Sequence, residues 1–82
     1  MYTLLYTQSA VQDIRKLDIV AKKRIKKKLE EYAVDPLLYA KKLVNSAIGS
    51  YRWRAGNYRI VFDIDQTHIV ILHIGHRREI YR

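Results

Sequence analysis

The chain contains no cysteine. That removes disulfides and thiolate metal sites, and it fits a reducing compartment. One proline and three glycines are too few for a flexible linker, and neither an internal repeat nor a low-complexity segment is present. No apolar run reaches the roughly 18 residues needed to cross a bilayer, so no membrane partner is expected. The opening Met1-Tyr-Thr-Leu-Leu-Tyr6 has no basic region leading into an apolar stretch, so no signal peptide is expected. Three histidines without metal-ligand spacing give no reason to expect a metal site or a cofactor. Acidic side chains are also scarce: eight Asp and Glu stand against sixteen Lys and Arg.

The 82 residues, 49% of them hydrophobic, suit a single domain over 1–82 with one small core. Stability at this size is marginal, and a partner or ligand can supply part of it. The net charge of +8 and isoelectric point near 9.9 direct such a domain towards phosphate backbones, acidic proteins or anionic surfaces. The cations are clustered rather than scattered, which favours recognition over simple solubility.

Periodicity orders the chain. Tyr2 to Tyr6 reads as a strand, rich in Thr, Leu and Tyr. Ser9 and Gln12 have the spacing of a capping box, and Ala10, Ile14 and Leu17 recur at helical intervals, predicting a helix over 9–17. Asp18 can cap a second helix over 19–34 with an apolar stripe of Ala21, Ile25, Leu29 and Tyr32. Asp35-Pro36 ends it, because the residue before proline is pushed out of the α region. So short a connection predicts an antiparallel helical hairpin. In 35–50, Leu37, Leu38 and Leu43 are expected to dock on the core, whereas Asn45, Ser46 and Gly49 suggest loop. From Tyr51 the period becomes two. Tyr51 and Trp53 alternate with Arg52 and Arg54. Ala55-Gly56-Asn57 can close a hairpin with Gly or Asn at positive φ. Tyr58 to Ile64 alternates again, Asp65-Gln66-Thr67 is a second turn, and His68 to Ile74 is apolar on both faces, as an inner strand is. The expected fold is α+β, ordered β-α-α-β-β-β, with the helices on one face of a mostly antiparallel four-stranded sheet.

Three groups of residues carry chemical interest. Lys22 to Lys28 holds six cations in seven residues, leaving only the Ile25 stripe apolar. Lys22, Lys23, Lys26 and Lys27 are either a solvated helix face or a phosphate-attracting one, whose affinity would fall steeply with salt. Arg52 and Arg54 share one strand face, and Arg59 joins them if the hairpin register allows. Opposed like charges destabilise a sheet, so this trio points to an anion that offsets the repulsion, unless Asp63 or Asp65 pairs with one of them. Arginine's flat fork suits phosphate oxygens. The third group is His76, Arg77, Arg78, Glu79 and Tyr81. Alternation would carry Ile69, Ile71, His73, Gly75 and Arg77 on one side, with a break possible at Gly75. His73, inside an apolar run, reads as a core histidine, and His68 as a surface one.

The pattern Tyr51-Arg52-x-Arg54-x-Gly56-x-Tyr58-Arg59, an apolar strand, then Gly75-His76-Arg77-Arg78-x-x-Tyr81 resembles the RelE/ParE superfamily of toxin–antitoxin toxins, and most of all its RelE branch. The likeness runs over essentially the whole chain, including the two N-terminal helices and the Asp35-Pro36 stop before Lys42-Leu43. It implies a small cytoplasmic endoribonuclease that cuts mRNA in the ribosomal A site without a metal and inhibits translation. It also implies a cognate acidic antitoxin, through which alone operator DNA would be bound. Arg59 and Arg77 would stand at the scissile phosphate and Tyr81 beside the reacting ribose, while Arg52, Arg54, His76 and Arg78 would hold RNA. The chain departs where relatives often carry lysines: Arg52 and Arg54 cannot give up a proton. The role of base then falls on Tyr81, or on His76. A phenol with an ordinary pKa near ~10 needs cations close by to favour its phenolate. Two other readings are a ParE-like toxin that binds DNA gyrase without its own catalytic site, and a non-catalytic basic module that binds nucleic acid.

Overall fold

The structure, a computed structural model, describes residues 1–43 and 48–80. The chain runs β1 (Thr3–Tyr6), α1 (Gln8–Arg15), α2 (Ile19–Tyr32), β2 (Lys41–Lys42), β3 (Tyr51–Ala55), β4 (Tyr58–Asp65) and β5 (His68–His76). These strands form one sheet in the order β1-β5-β4-β3-β2. Only β1 with β5 is a parallel pair; the others are antiparallel. The expected order holds with one addition. The two-residue β2 makes a fifth strand, too short to leave a periodic signal in the sequence.

Both helices lie on one face of the sheet. Ala10 of α1 and Ile25, Leu29 and Tyr32 of α2 pack with Trp53, Ala55, Ile60, Phe62, Ile69, Ile71 and Ile74. Trp53 is fully buried, with its ring 4.0 Å from that of Phe62. Its indole N–H donates to the carbonyl of Pro36 at 2.9 Å, so the only proline ends α2 and also anchors the core. Tyr32 donates its phenolic proton to the carbonyl of Arg54 at 2.8 Å. Asp18 caps α2 as expected, accepting from Ala21 N–H at 2.7 Å. The α1 cap differs from the capping-box reading: Thr7, two residues before Ser9, accepts from Ala10 N–H. The same hydroxyl donates to the carbonyl of Leu72, a tertiary contact that local spacing does not reveal. Leu37 and Leu38 do not dock on the core; they are 52% and 68% exposed. Pro36 and Ala40 take that place, and Tyr39, though half exposed, lies 4.8 Å from the Tyr32 ring. Asn45 and Ser46 lie outside the described residues.

Two local features aim the strands. Gly56, at φ 62°, is the first residue of a two-residue hairpin turn, where positive φ is required. At the β4–β5 pair, Phe62 faces Ile71 but Val61 faces His73, so Leu72 is an extra residue in a bulge. The bulge switches alternation at Leu72, three residues before Gly75. Ile69 and Ile71 face the helices, whereas His73 and Gly75 face the other way. His73 is therefore no core residue: its side chain is 46% exposed, and its Nδ1 lies 3.7 Å from Asp13 Oδ2.

Past Tyr6 the Thr7 N–H still donates to the Ile71 carbonyl at 3.1 Å, and beyond it side chains of Thr7 and α1 take over that edge. Asp13 Oδ2 accepts the Ile74 N–H at 3.0 Å, and Thr7 satisfies the Leu72 carbonyl. Asp13→Ala should lower unfolding free energy by about 1–3 kcal/mol, the usual cost of orphaning a buried donor. Urea denaturation with an unchanged m-value would check this.

Candidate functional site

The period-two alternation that buries Trp53 sends Arg52 and Arg54 to the face opposite the helices. The hairpin register sets Arg54 directly across from Arg59, and Arg59 across from Gly75. Arg52 faces Val61 on one side and Lys41 on the other. Arg52, Arg54 and Arg59 thus share one face, joined by Lys41, which the sequence reading did not single out. Its signal lies in the long-range pairing of β2 with β3, not in any local pattern. Among the described residues no carboxylate lies within ion-pair distance of Lys41, Arg52 or Arg54. Asp63 is occupied elsewhere, accepting the Ser50 N–H at 2.7 Å and holding that loop over the sheet.

Arg59 is the one buried charged residue in the described chain, 7% exposed. Its Nη1 donates to the carbonyls of Gly56 and Tyr58, at 3.3 and 3.1 Å. The turn therefore fixes the guanidinium, and fixes it beside Gly75, which offers no side chain to crowd it. The segment after β5 folds back at this same end. Arg77 N–H donates to the Asn57 carbonyl at 2.8 Å, and the N–H groups of Glu79 and Ile80 both reach the His76 carbonyl. Ile80 covers Gly75, at 3.6 Å from where its Cβ would stand. The Arg77 backbone is thereby tied to the turn that carries Arg59, and its side chain is exposed. Arg78 is exposed as well.

His76 lies across from Tyr58, on the helix side, with its ring edge-on to that phenol at 6.0 Å. Its Nδ1 accepts the Arg78 N–H at 3.2 Å, so the neutral ring carries its proton on Nε2. Tyr81 lies outside the described residues. The α2 lysines are not part of this cluster, whereas the Arg24 guanidinium of the same helix reaches the Gly56 turn. Lys22, Lys23, Lys26 and Lys27 project from a helix packed on the opposite face, and Lys28 pairs with Glu31 at 3.6 Å. Lys22 and Lys26 instead rim an apolar groove of about 290 Å³ lined by Tyr6, Ile14, Ile25 and Leu29. Burial, aided by Glu30, raises the Tyr6 phenol above its ordinary 10.0 and keeps it protonated. Among the described residues no three His, Asp or Glu side chains converge as metal ligands, and no helix is long and apolar enough to cross a membrane.

These features define a small basic α+β protein with a cationic sheet face and an apolar, lysine-rimmed groove behind it. Residues 4–81 match the family described as the ParE toxin of the type II toxin–antitoxin system parDE. The chain is 35% identical to toxin RelG of Mycobacterium tuberculosis over 99% of its own length and 97% of that protein. In the RelBE2 toxin–antitoxin complex of the same organism, the matched chain is 34% identical, with a TM-score of 0.70 over 93% of this chain and 98% of that one. The isolated Escherichia coli RelE toxin is 29% identical, with a TM-score of 0.73 over 99% of this chain and 92% of that one. The chain belongs to the RelE/ParE superfamily of type II toxin–antitoxin toxins.

The cross-strand Arg54–Arg59 pair has a measurable signature. Arg54→Gln should raise stability at low salt by about 0.2–1 kcal/mol, the scale of a cross-strand charge pair. The gain should shrink as salt screens the repulsion. Thermal melts at two ionic strengths would check it.

Proposed function

We propose that this toxin is a ribosome-dependent mRNA endoribonuclease acting in the cytoplasm. The observation that carries the reading is the alignment of Arg54 with Arg59 on the open face, with Arg77 tethered at the same end. In the reaction the ribose 2′-oxygen attacks the adjacent phosphorus and the 5′-oxygen leaves, forming a 2′,3′-cyclic phosphate. A base removes the 2′-hydroxyl proton and an acid protonates the leaving oxygen. The nucleophile belongs to the RNA itself, so no metal-bound water is needed to supply it. Arg59 and Arg77 would meet the charge that builds on the phosphoryl oxygens. Arg59 suits this work, since a guanidinium held by two carbonyls needs little reorganisation.

Tyr81 is the better base of the two candidates. The Nδ1 lone pair of His76 is engaged by the Arg78 N–H, and its ring faces away from Arg59. A site with so few free acid–base groups depends on positioning, which is why the ribosome is assigned the role of orienting the mRNA. The partner that restrains the toxin is a cognate acidic antitoxin. Related toxins have been solved as complexes with antitoxins, and the groove between Lys22 and Lys26 offers apolar surface with basic flanks to an amphipathic acidic segment. Operator DNA would be reached only through that antitoxin.

A second reading, gyrase binding without chemistry, has one specific point in its favour: the matched family is described by its ParE member. Primer extension on a translated mRNA after induction separates the two. Cuts in register with codons should appear with wild type and fall about 10²–10³-fold in Arg77→Ala, the usual loss for one transition-state donor. Growth arrest with intact mRNA and damaged chromosomal DNA would favour gyrase. Arg77 is exposed and its backbone supplies the anchoring bond, so this variant should fold. Buried Arg59 ties down its turn, so Arg59→Lys is a cleaner probe than Arg59→Ala.

A further inference from the structure

The open face does not end at the reacting arginines. At its β2–β3 border lies a depression of about 190 Å³ lined by Tyr39, Lys41, Arg52 and Arg54. Lys41 pairs with Arg52 across the two strands, so their side chains rise on the same face. β2 starts at Lys41, and among the described residues no strand lies beside the β3 edge beyond Arg52. Tyr32 fills part of that gap by donating to the Arg54 carbonyl, and Tyr39 leans on Tyr32 at 4.8 Å with an interplanar angle of 31°. Tyr39 is thus braced by a buried ring while 48% of it stays exposed.

We propose that Tyr39 and Lys41, together with Arg52 and Arg54, form a nucleotide subsite in which Tyr39 stacks a base of single-stranded RNA and Lys41 neutralises the neighbouring phosphate. The ligand assignment rests on the ribonuclease reading. An aromatic platform beside a cationic track is how proteins hold single strands without reading their sequence. The ordering of Tyr39 against Tyr32 lowers the entropic cost of presenting its ring. A tyrosine serving only to pad the core would have no need of three cations around it, none with a carboxylate partner among the described residues. The subsite adds binding and alignment, not proton transfer. It would help place the scissile phosphate against Arg59, two strands away from Lys41 in the sheet.

The test uses full-length protein carrying Arg77→Ala and a short single-stranded RNA methylated on every 2′-oxygen, read by fluorescence anisotropy across salt concentrations. The methyl groups block cleavage but leave bases and phosphates in place. Tyr39→Leu should weaken binding about tenfold, and Tyr39→Trp should restore it, as expected for base stacking. Lys41→Gln, at an exposed position that should not disturb folding, should reduce the slope of log affinity against log salt by about 0.7, one single-strand phosphate contact. Parent-like affinity and slope in both variants, with parent-like melting, would overturn the subsite, as would no measurable binding by the parent. The two readings fail separately. Codon-register cuts by wild type, with unchanged KM in Tyr39→Leu and Lys41→Gln, would leave the nuclease standing without the subsite. Binding through Tyr39 and Lys41 with no mRNA cut by wild type would leave the subsite without the nuclease.

Discussion

The burial of Trp53 is the constraint on which the rest depends. Its indole is closed off from water, packed on Phe62, and hydrogen-bonded to Pro36. A strand alternates its side chains, so committing Trp53 to the helix side leaves Arg52 and Arg54 no choice of face. The two-residue turn at Gly56 then fixes which residue of β4 opposes Arg54, and that residue is Arg59. The repulsion between them is local and modest; the core behind Trp53 is large. The hydrophobic face thus holds together a cationic face that would not assemble by itself, and Arg59 is further held by the backbone of the turn it follows.

The sheet also divides the charge. Arg52, Arg54, Arg59 and Lys41 occupy one side, and the lysines of α2 the other. A polyanion on the open face and an acidic segment in the groove at Tyr6, Ile14 and Leu29 would contact different residues. Charge alone cannot distinguish the two surfaces, but texture can. The open face offers planar forks and a braced phenol, which suit phosphates and bases. The helix side offers a greasy trough between flexible ammonium groups, which suits a peptide.

Much of this was legible in the residue order, and what was not has identifiable causes. Alternation through Tyr51–Ile64 showed the Arg52 and Arg54 face because every second residue there is apolar. The Asp18 cap was equally plain, since its contact is local. The bulge at Leu72 was hidden, because Ile69 to Ile74 is apolar throughout and a skipped residue breaks no visible pattern. That single extra residue moved His73 from the expected core to the surface beside Asp13. Thr7 outdid Ser9 as the cap because its hydroxyl also has a distant partner in Leu72. Lys41 entered the cluster only through pairing with Arg52, and no two-residue strand announces itself locally. The α2 lysines looked like companions of the arginines by charge, yet Ile25, Leu29 and Tyr32 bind their helix to the far side.

The closure of the β5 edge by α1 has a consequence for assembly. An unpaired strand edge is a template onto which any extended chain can add. Thr7 and Asp13 occupy the Leu72 carbonyl and the Ile74 N–H, so the stretch of β5 past β1 offers no such template there. The outer rims of the sheet are then a four-residue strand at one border and a two-residue strand at the other. A partner that adds a strand is left these short rims and the β3 edge beyond Arg52, part of which Tyr32 already occupies.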